Sequence, residues 1–350
     1  MTTMPPHTRI SRRTTRAGLA ALLALAGCAG LLIWWNTDVM GQDRFCDDAL
    51  TSSELSPVLD GPGRLTRKNG HEESDPYGFS CTVRRTSKFL GAAEPEMKAE
   101  LSFEPADFAL GSRLWRDPSA SSYFVGGPTG AVSETQAWVL LPAGCEAKTP
   151  PGVQRANVPV LEMNLTHGRA AREDLAQAAV SAARHVAKGL GCAGSGALKA
   201  PVRLQGPSGA GEPRPTDPAN ACGMAGFRLP EAALLRGRAE PGTERVTGSD
   251  SRTRVCELTL KGPGAPRLTL AVSEDPLLTQ GVRRDETATP QNNRTVTACA
   301  AGDLYVAMSY DDTYRDLLLD AGATAHEQAR TALFRAFFDT VAKDRGCRTD

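Results

Sequence analysis

The chain has 350 residues, which is enough for about two domains with buried cores. It balances 40 Lys and Arg against 40 Asp and Glu, and 41% of its residues are hydrophobic. This composition is typical of a folded protein and excludes a disordered or collagen-like chain. Without an excess of basic residues, a polyanion-binding role is disfavoured, so we expect no nucleic-acid partner.

The N-terminus has four arginines and no acid before residue 17, followed by an uncharged stretch over residues 17–35. Arginines on one flank of an apolar stretch are typical of a membrane segment whose N-terminus is cytoplasmic. A helix of that length extends about 28 Å, and Trp34 and Trp35 lie where an interfacial aromatic belt belongs. We therefore predict a cytoplasmic basic tail over residues 1–16 and an uncleaved transmembrane signal anchor over residues 17–35.

A second interpretation of this segment rests on Leu25 to Cys28, because the sequence LAGC fits a bacterial lipobox. In that case the signal ends at residue 27 and the Cys28 thiol carries the lipid. The apolar run continues past Cys28, so we prefer the signal anchor. Either interpretation attaches the protein to the cell membrane, as a single-pass protein or through a lipid, and places the region after about residue 40 outside the cytoplasm.

Eight cysteines follow this segment, and an even number fits disulfide bonds in an oxidising compartment. Their spacings are 35, 64 and 47 residues in the first four and 34, 43 and 48 in the second four. The first and last intervals therefore differ by only one residue between the two sets of four. A constant interval predicts a loop that is closed by a disulfide between the two cysteines at its ends. We hypothesise four disulfides: Cys46 with Cys81, Cys145 with Cys192, Cys222 with Cys256, and Cys299 with Cys347.

The same spacing indicates an internal duplication. The motif Val-Ala-Lys-x-x-Gly-Cys ends at Cys192 in one repeat and at Cys347 in the other, each time after a helical stretch. In that stretch small or apolar residues recur at helical spacing and predict one buried helix face in each repeat: Ala178, Ala179, Ala182, Ala183 and Val186 in the first, and Leu333, Phe334, Phe337, Phe338 and Val341 in the second. Between the helices, polar and apolar residues alternate, as in residues 98–104 and 256–261, which predicts strands with one wet face. We predict an α+β fold of two tandem repeats, each α-β-β-β-β-α, with a mainly antiparallel sheet packed by helices on one face.

The predicted repeats cover residues 43–193 and 220–350, and a Pro/Gly-rich linker covers residues 194–219. With its Arg-rich N-terminus, its LAGC-containing apolar segment and its paired four-cysteine repeats, the chain resembles uncharacterised actinomycete cell-envelope proteins. Those proteins are membrane-anchored or lipid-anchored and have tandem two-disulfide α/β modules. The resemblance implies an envelope location and carries no catalytic motif.

The sequence contains no recognisable motif for catalysis, cofactor binding or metal binding. We therefore predict no catalytic, cofactor-binding or metal-binding residues and no cofactor. No two of the five histidines stand at ligand spacing, and neither Gly-x-Ser-x-Gly nor Cys-x-x-Cys occurs. The charged loop at His71 is interpreted as solvated. The acidic group of Asp311, Asp312 and Asp316 is interpreted as a helix start that the helix dipole favours.

The second cysteine interval is 64 residues in the first repeat against 43 in the second, so the first repeat has 21 extra residues. They fall within residues 106–135 and include Trp115, Tyr123 and Phe124 near Gly/Pro turns. Large aromatic side chains beside such turns are typical of a partner-binding loop. The alternative, which we favour, is that they cover the edge of the sheet or the interface between the domains.

Two functions fit these observations. The first is a non-enzymatic, membrane-anchored extracytoplasmic protein whose two disulfide-stabilised modules bind an envelope protein or an envelope ligand. The alternative is a cell-envelope hydrolase whose acid and base are carboxylates that the sequence does not single out. We favour the first because no catalytic motif is present.

Overall fold

The protein is represented by a computed structural model with an α+β fold and antiparallel sheets. It describes residues 12–37, 41–68, 78–87, 94–108, 115, 117–142, 144–145, 157–201, 203–207, 213–237, 239–248 and 251–348.

Six helices and sixteen strands occur in these described ranges. The helices are α1 (Arg12–Asn36), α2 (Ser52–Val58), α3 (Arg172–Gly189), α4 (Pro276–Arg283), α5 (Asp312–Asp320) and α6 (Ala323–Asp344). The strands of the first repeat and the linker are β1 (Arg44–Phe45), β2 (Leu50–Thr51), β3 (Arg64–Arg67), β4 (Ser80–Thr86), β5 (Glu96–Pro105), β6 (Ser122–Val125), β7 (Gly130–Val132), β8 (Gln136–Leu140), β9 (Asn157–His167), β10 (Arg203–Gln205) and β11 (Arg214–Pro215). The strands of the second repeat are β12 (Glu240–Thr247), β13 (Thr253–Lys261), β14 (Arg267–Ser273), β15 (Arg294–Cys299) and β16 (Gly302–Tyr310).

The predicted transmembrane signal anchor is wrong. The segment is helical as α1, but no helix in the described part of the chain combines the length and the apolar character needed to cross a bilayer. Alanine and glycine occupy much of residues 17–35, and these residues contribute less apolar surface than leucine or isoleucine. Most of the predicted cytoplasmic tail, residues 1–11, lies outside the described residues.

The two repeats have the same strand plan. In the first sheet the order β3-β4-β5-β9-β8 runs from one edge, and the second sheet has the matching order β12-β13-β14-β16-β15. Among these five strands of each sheet, the last along the chain, β9 in the first and β16 in the second, lies between the third and the fourth. The first sheet is extended to eight strands by β7, β6 and β10, and the second is extended to six by β11. Five equivalent strands therefore replace the four that we predicted.

The helices also depart from the predicted α-β-β-β-β-α order. The first repeat has the short helix α2, but its counterpart in the second repeat consists of 3-10 turns at Ala221–Gly223 and Leu235–Gly237. Cys222 and Gly223 have φ values of 60° and 62°, and this left-handed backbone cannot continue an α-helix. The second repeat also has α4, which follows β14. This helix packs on the opposite face of its sheet from α6, so the helices of the second repeat do not share one face.

The long helices α3 and α6 cover the outer faces of the two sheets. The predicted stripes are buried except for Phe338, which is half-buried: Ala178, Ala179, Ala182, Ala183 and Val186 lie on α3, and Leu333, Phe334, Phe337 and Val341 lie on α6. Each helix thus closes an apolar core with its own sheet. Cys256, Leu258 and Leu260 belong to the core under α6, so the Cys256 sulfur lies on the helix side, as the strand alternation predicts.

All four hypothesised disulfides are present: Cys46–Cys81, Cys145–Cys192, Cys222–Cys256 and Cys299–Cys347. Each closes a loop of 34 to 48 residues within one repeat, and none joins the two repeats. Chain entropy gives each bond about 4 kcal/mol of stabilisation. Structural disulfides form and persist in oxidising compartments, so the four bonds indicate an extracytoplasmic protein.

The inner faces of the two sheets pack against each other in a third apolar core, here called the seam. From the first repeat it contains Ala106, Phe108, Trp115, Tyr123, Ala131, Trp138, Leu140, Val158 and Val160, and from the second Val255, Ala271, Leu277, Leu278, Val282, Tyr305 and Ala307. The layers therefore run helix, sheet, sheet, helix, and the repeats form one body.

Hydrogen bonds between the repeats accompany the seam. The Tyr305 hydroxyl donates to the Phe108 carbonyl at 3.2 Å. The Thr247 hydroxyl donates to the Ser121 carbonyl at 2.8 Å. The Thr129 hydroxyl donates to the carboxylate of Asp275, which also accepts hydrogen bonds at the start of α4. These contacts fix the orientation of one sheet on the other.

We predict that Trp138→Ala lowers the free energy of unfolding by about 3 to 5 kcal/mol, because it leaves a cavity in the seam. Since both repeats bury side chains there, calorimetry should still show one unfolding transition at a lower temperature. Leu319→Ala is the matched control, because Leu319 is 54% exposed and its truncation removes no core contact. Two separate transitions, with only one of them shifted, would contradict the shared core.

Candidate functional site

The aromatic side chains of the insertion are buried. Trp115 is 3% exposed, Tyr123 1% and Phe124 5%. Trp115 and Tyr123 lie in the seam, whereas Phe124 lies in the core between the first sheet and α3. In this structure none of the three side chains offers a surface to a partner, and their positions agree with the covering role.

Edge-to-face contacts organise the aromatic part of the seam. The ring centroids of Trp115 and Trp138 are 5.0 Å apart, and those of Phe108 and Trp115 are 5.3 Å apart, both nearly perpendicular. Such pairs contribute about 0.5 to 1.5 kcal/mol each beyond their buried area. The insertion also provides β6 and β7, so it widens the first sheet and supplies its inner face with side chains.

A carboxyl group lies beside these rings. The Trp115 indole Nε1 donates to Asp107 Oδ1 at 3.1 Å. Burial raises the pKa of Asp107, while the hydrogen bond from Trp115 and the charge of Arg294 oppose this shift. The ionised form of Asp107 is therefore less favourable in the folded protein than in the unfolded chain.

The other sequence candidates have structural roles or lie outside the described residues. Asp311 caps α5, since its Oδ1 accepts from the Tyr314 N–H at 2.9 Å, as the interpretation of a helix start predicts. His71 and its charged loop lie outside the described residues. The Cys28 thiol is free and exposed on α1. The described ranges contain no cluster of three or more His, Cys, Asp or Glu side chains that could bind a metal ion.

A polar cleft of about 810 Å³ lies on the inner face of the first sheet. Its lining residues are Lys98, Glu100, Asp117, Ala120, Ser121, Ser133, Glu134, Thr135, Gln136, Glu162, Asn164, Leu165, Thr166, Arg169 and Arg172. On β9 the inward positions Val158 and Val160 belong to the seam, and the next two on the same face, Glu162 and Asn164, line the cleft. The cleft is thus the continuation of the seam beyond its apolar part.

The most buried charged group of the cleft is Glu162, which is 4% exposed. Its Oε1 atom accepts from Gln136 Nε2 at 2.9 Å and from Asn164 Nδ2 at 2.6 Å. Gln136 on β8 is directly opposite Asn164 on β9, and Glu100 on β5 is directly opposite Glu162. Three neighbouring strands therefore position this polar group, and strands hold side chains more rigidly than loops do.

Among the described residues, the ion pairs of the cleft do not include Glu162. Lys98 pairs with Glu100, and Arg169 pairs with Glu134 at 2.8 Å. Arg172 donates to the Ser122 hydroxyl at 2.7 Å. Three basic and four acidic side chains line the cleft, so its formal charge is −1. The arrangement can accept hydrogen bonds from a ligand and can bind a positively charged group.

Sequence reasoning missed this site. The alternation over residues 98–104 correctly indicates a strand, but it does not show whether the polar face meets water or a ligand. The one available signal is Glu162, an acid between the apolar residues Leu161 and Met163 in a strand that is otherwise mostly apolar. Only the pairing of β9 with β5 and β8 brings Glu100 and Gln136 next to it.

In comparisons with family models, curated proteins and solved structures, the chain has no match.

We predict that Asp107→Asn makes the protein more stable at pH 7. The folded-state pKa of Asp107 lies above its usual value of 3.8, so the carboxyl contributes most stability below pH 3.8 and loses that contribution as the pH rises through the folded pKa. Asparagine keeps the acceptor for Trp115 and has no charge to bury.

Chemical denaturation at several pH values tests this prediction. The gain from Asp107→Asn should be present at pH 7 and absent near pH 3, and Asp60→Asn, the same change at an exposed carboxyl, is the matched control. A variant that is less stable than the parent at pH 7 would show that the ionised carboxylate is favourable there.

Proposed function

We propose that the protein is a non-enzymatic extracytoplasmic binding protein of the cell envelope, and that its ligand occupies the polar cleft. The observation that carries the proposal is the cleft itself, about 810 Å³ in volume and lined by side chains from β5, β8 and β9. Ligand sites of small molecules usually have volumes of about 300 to 1,000 Å³.

The lining indicates the chemistry of the ligand. Polar and charged side chains predominate in it, so the cleft suits a hydrophilic ligand better than an apolar one. Fragments of a bacterial cell wall are rich in hydroxyl, amide and charged groups, and they occur in the compartment that the disulfides indicate. A wall-derived ligand therefore fits both the cleft and the location.

The variant Thr135→Trp tests this proposal. Thr135 is exposed and lines the cleft, so an indole at this position should occupy part of its volume. We expect equilibrium dialysis to show that the parent protein binds solubilised bacterial wall fragments and that Thr135→Trp weakens binding at least about tenfold, through steric exclusion.

The control is Thr324→Trp, which adds the same indole at an exposed threonine of the second repeat, and it should bind as the parent does. Parent protein that binds no fragments, or a Thr135→Trp variant that binds them unchanged, would contradict a binding role for the cleft.

An envelope hydrolase is the second candidate function, favoured by Glu100 and Glu162, which are directly opposite each other and both line the cleft. Two carboxyl groups beside the scissile bond are the usual requirement of glycoside hydrolysis. Lys98 pairs with Glu100, however, so this carboxylate already has an ion-pair partner within the cleft. Release of new reducing ends from the wall fragments would favour the hydrolase.

We further propose that the chain is attached to the membrane through a lipid on Cys28. The LAGC sequence and the free, exposed thiol of Cys28 support this attachment. We expect intact-mass measurement on the membrane fraction to find a protein that begins at a lipid-modified Cys28, and Cys28→Ala to abolish that product. A membrane-bound protein that keeps residues 1–27 and an unmodified Cys28 would contradict the lipid attachment.

A further inference from the structure

We propose that the polar cleft recognises a protonated amine of its ligand, with Glu162 as the anionic partner. This inference rests on the proposed binding function and assigns the chemistry of one group of the ligand. It depends on three features of Glu162 and its neighbours: an available carboxylate oxygen, two further acceptor oxygens, and a charge that no basic side chain of the described ranges pairs with.

The first feature is the second oxygen of the Glu162 carboxylate. Both hydrogen bonds to Glu162, from Gln136 and Asn164, end on Oε1. Within the described ranges, Oε2 accepts no hydrogen bond, and it is not among the fully enclosed polar atoms. Because Glu162 lines the cleft, Oε2 is available to a donor that enters it.

The second feature is the pair of amide side chains. Gln136 and Asn164 each use the NH2 group to hold Glu162, so their carbonyl oxygens, Oε1 and Oδ1, have no donor within the described part of the chain. The site thus combines one charged and two neutral acceptors. A primary ammonium group has three N–H donors and a positive charge, whereas a hydroxyl has one donor and no charge.

The third feature is the unbalanced charge of Glu162. Lys98 and Arg169, two of the three basic residues of the cleft, are paired with Glu100 and Glu134. Glu162 is 4% exposed as a whole residue, and a carboxylate on such a buried residue is costly without a cation. A bound ammonium supplies that cation, and the formal charge of −1 over the whole lining also favours a positively charged group.

Two matched sugars can test the assignment on the full chain. Glucosamine at pH 6 carries a protonated amine, and N-acetylglucosamine carries a neutral amide at the same carbon. In NMR titrations we expect glucosamine to shift the side-chain amide signals of Gln136 and Asn164, and N-acetylglucosamine to bind at least about tenfold more weakly. One charge-assisted hydrogen bond accounts for a difference of that size.

The variant Glu162→Gln keeps the shape of the side chain and its acceptor for Gln136 and Asn164, but it removes the charge. We expect it to bind glucosamine at least about tenfold more weakly than the parent does. Its affinity for N-acetylglucosamine should be unchanged. Glu231→Gln removes an equal charge from an exposed site in the second repeat and should bind glucosamine as the parent does. Thermal melts of both variants show whether each is folded.

The outcomes separate the amine assignment from the binding function. Equal affinity of the parent for the two sugars, or unchanged glucosamine binding by Glu162→Gln, would overturn the amine assignment. If Thr135→Trp still blocked wall fragments in that case, the binding function would stand. If the parent bound neither of the two sugars and none of the wall fragments, both proposals would be overturned.

Discussion

Apolar packing between the inner faces of the two sheets determines the arrangement of the whole molecule. Each sheet already has a helix-covered outer face and its own disulfides, and yet its inner face carries large apolar side chains such as Trp138 and Tyr305. An exposed face of this kind would be unfavourable in water, and mutual burial removes it. The disulfides stabilise each repeat, whereas the seam joins the repeats into one body.

The two repeats contribute unequally to that body, and the difference creates the cleft. The first sheet has eight strands against six, and its strands β5 and β9 are ten and eleven residues long. The apolar seam takes up only Val158 and Val160 of the inward positions of β9. The positions beyond them, from Glu162 onward, are polar and line the cleft. Duplication followed by extension of one copy would account for this additional polar surface.

Local patterns were sufficient to predict part of this fold. Cysteine spacing alone predicted the four disulfides, because constant intervals reflect loops closed within each repeat. The helical stripe of α6 was visible for a similar reason, since helix periodicity is a property of neighbouring residues. The hydropathy of residues 17–35, in contrast, misled us about a membrane-spanning helix. The missing helix near Cys222 depends on a left-handed backbone that periodicity does not encode.

The seam and the cleft could not be predicted because both depend on pairing between distant strands. Trp115 and Tyr305 are far apart in the chain, and only the stacking of the sheets places them in one core. Glu162 likewise becomes a candidate only when β8 brings Gln136 next to it. Contacts between distant strands leave no periodic pattern in the sequence. A single sequence therefore showed the candidate aromatic residues but not the residues that they contact.

Native-state hydrogen exchange at increasing denaturant tests the shared core most directly, because it resolves the opening of each strand. The decisive amides are those of β9 in the first repeat and β16 in the second, which carry the seam residues Val160 and Tyr305. If the seam joins the repeats into one body, the slowest amides of both strands will exchange with the same opening free energy and the same denaturant dependence. Exchange of β16 through a separate, lower-energy opening, while β9 stays protected, would contradict the account.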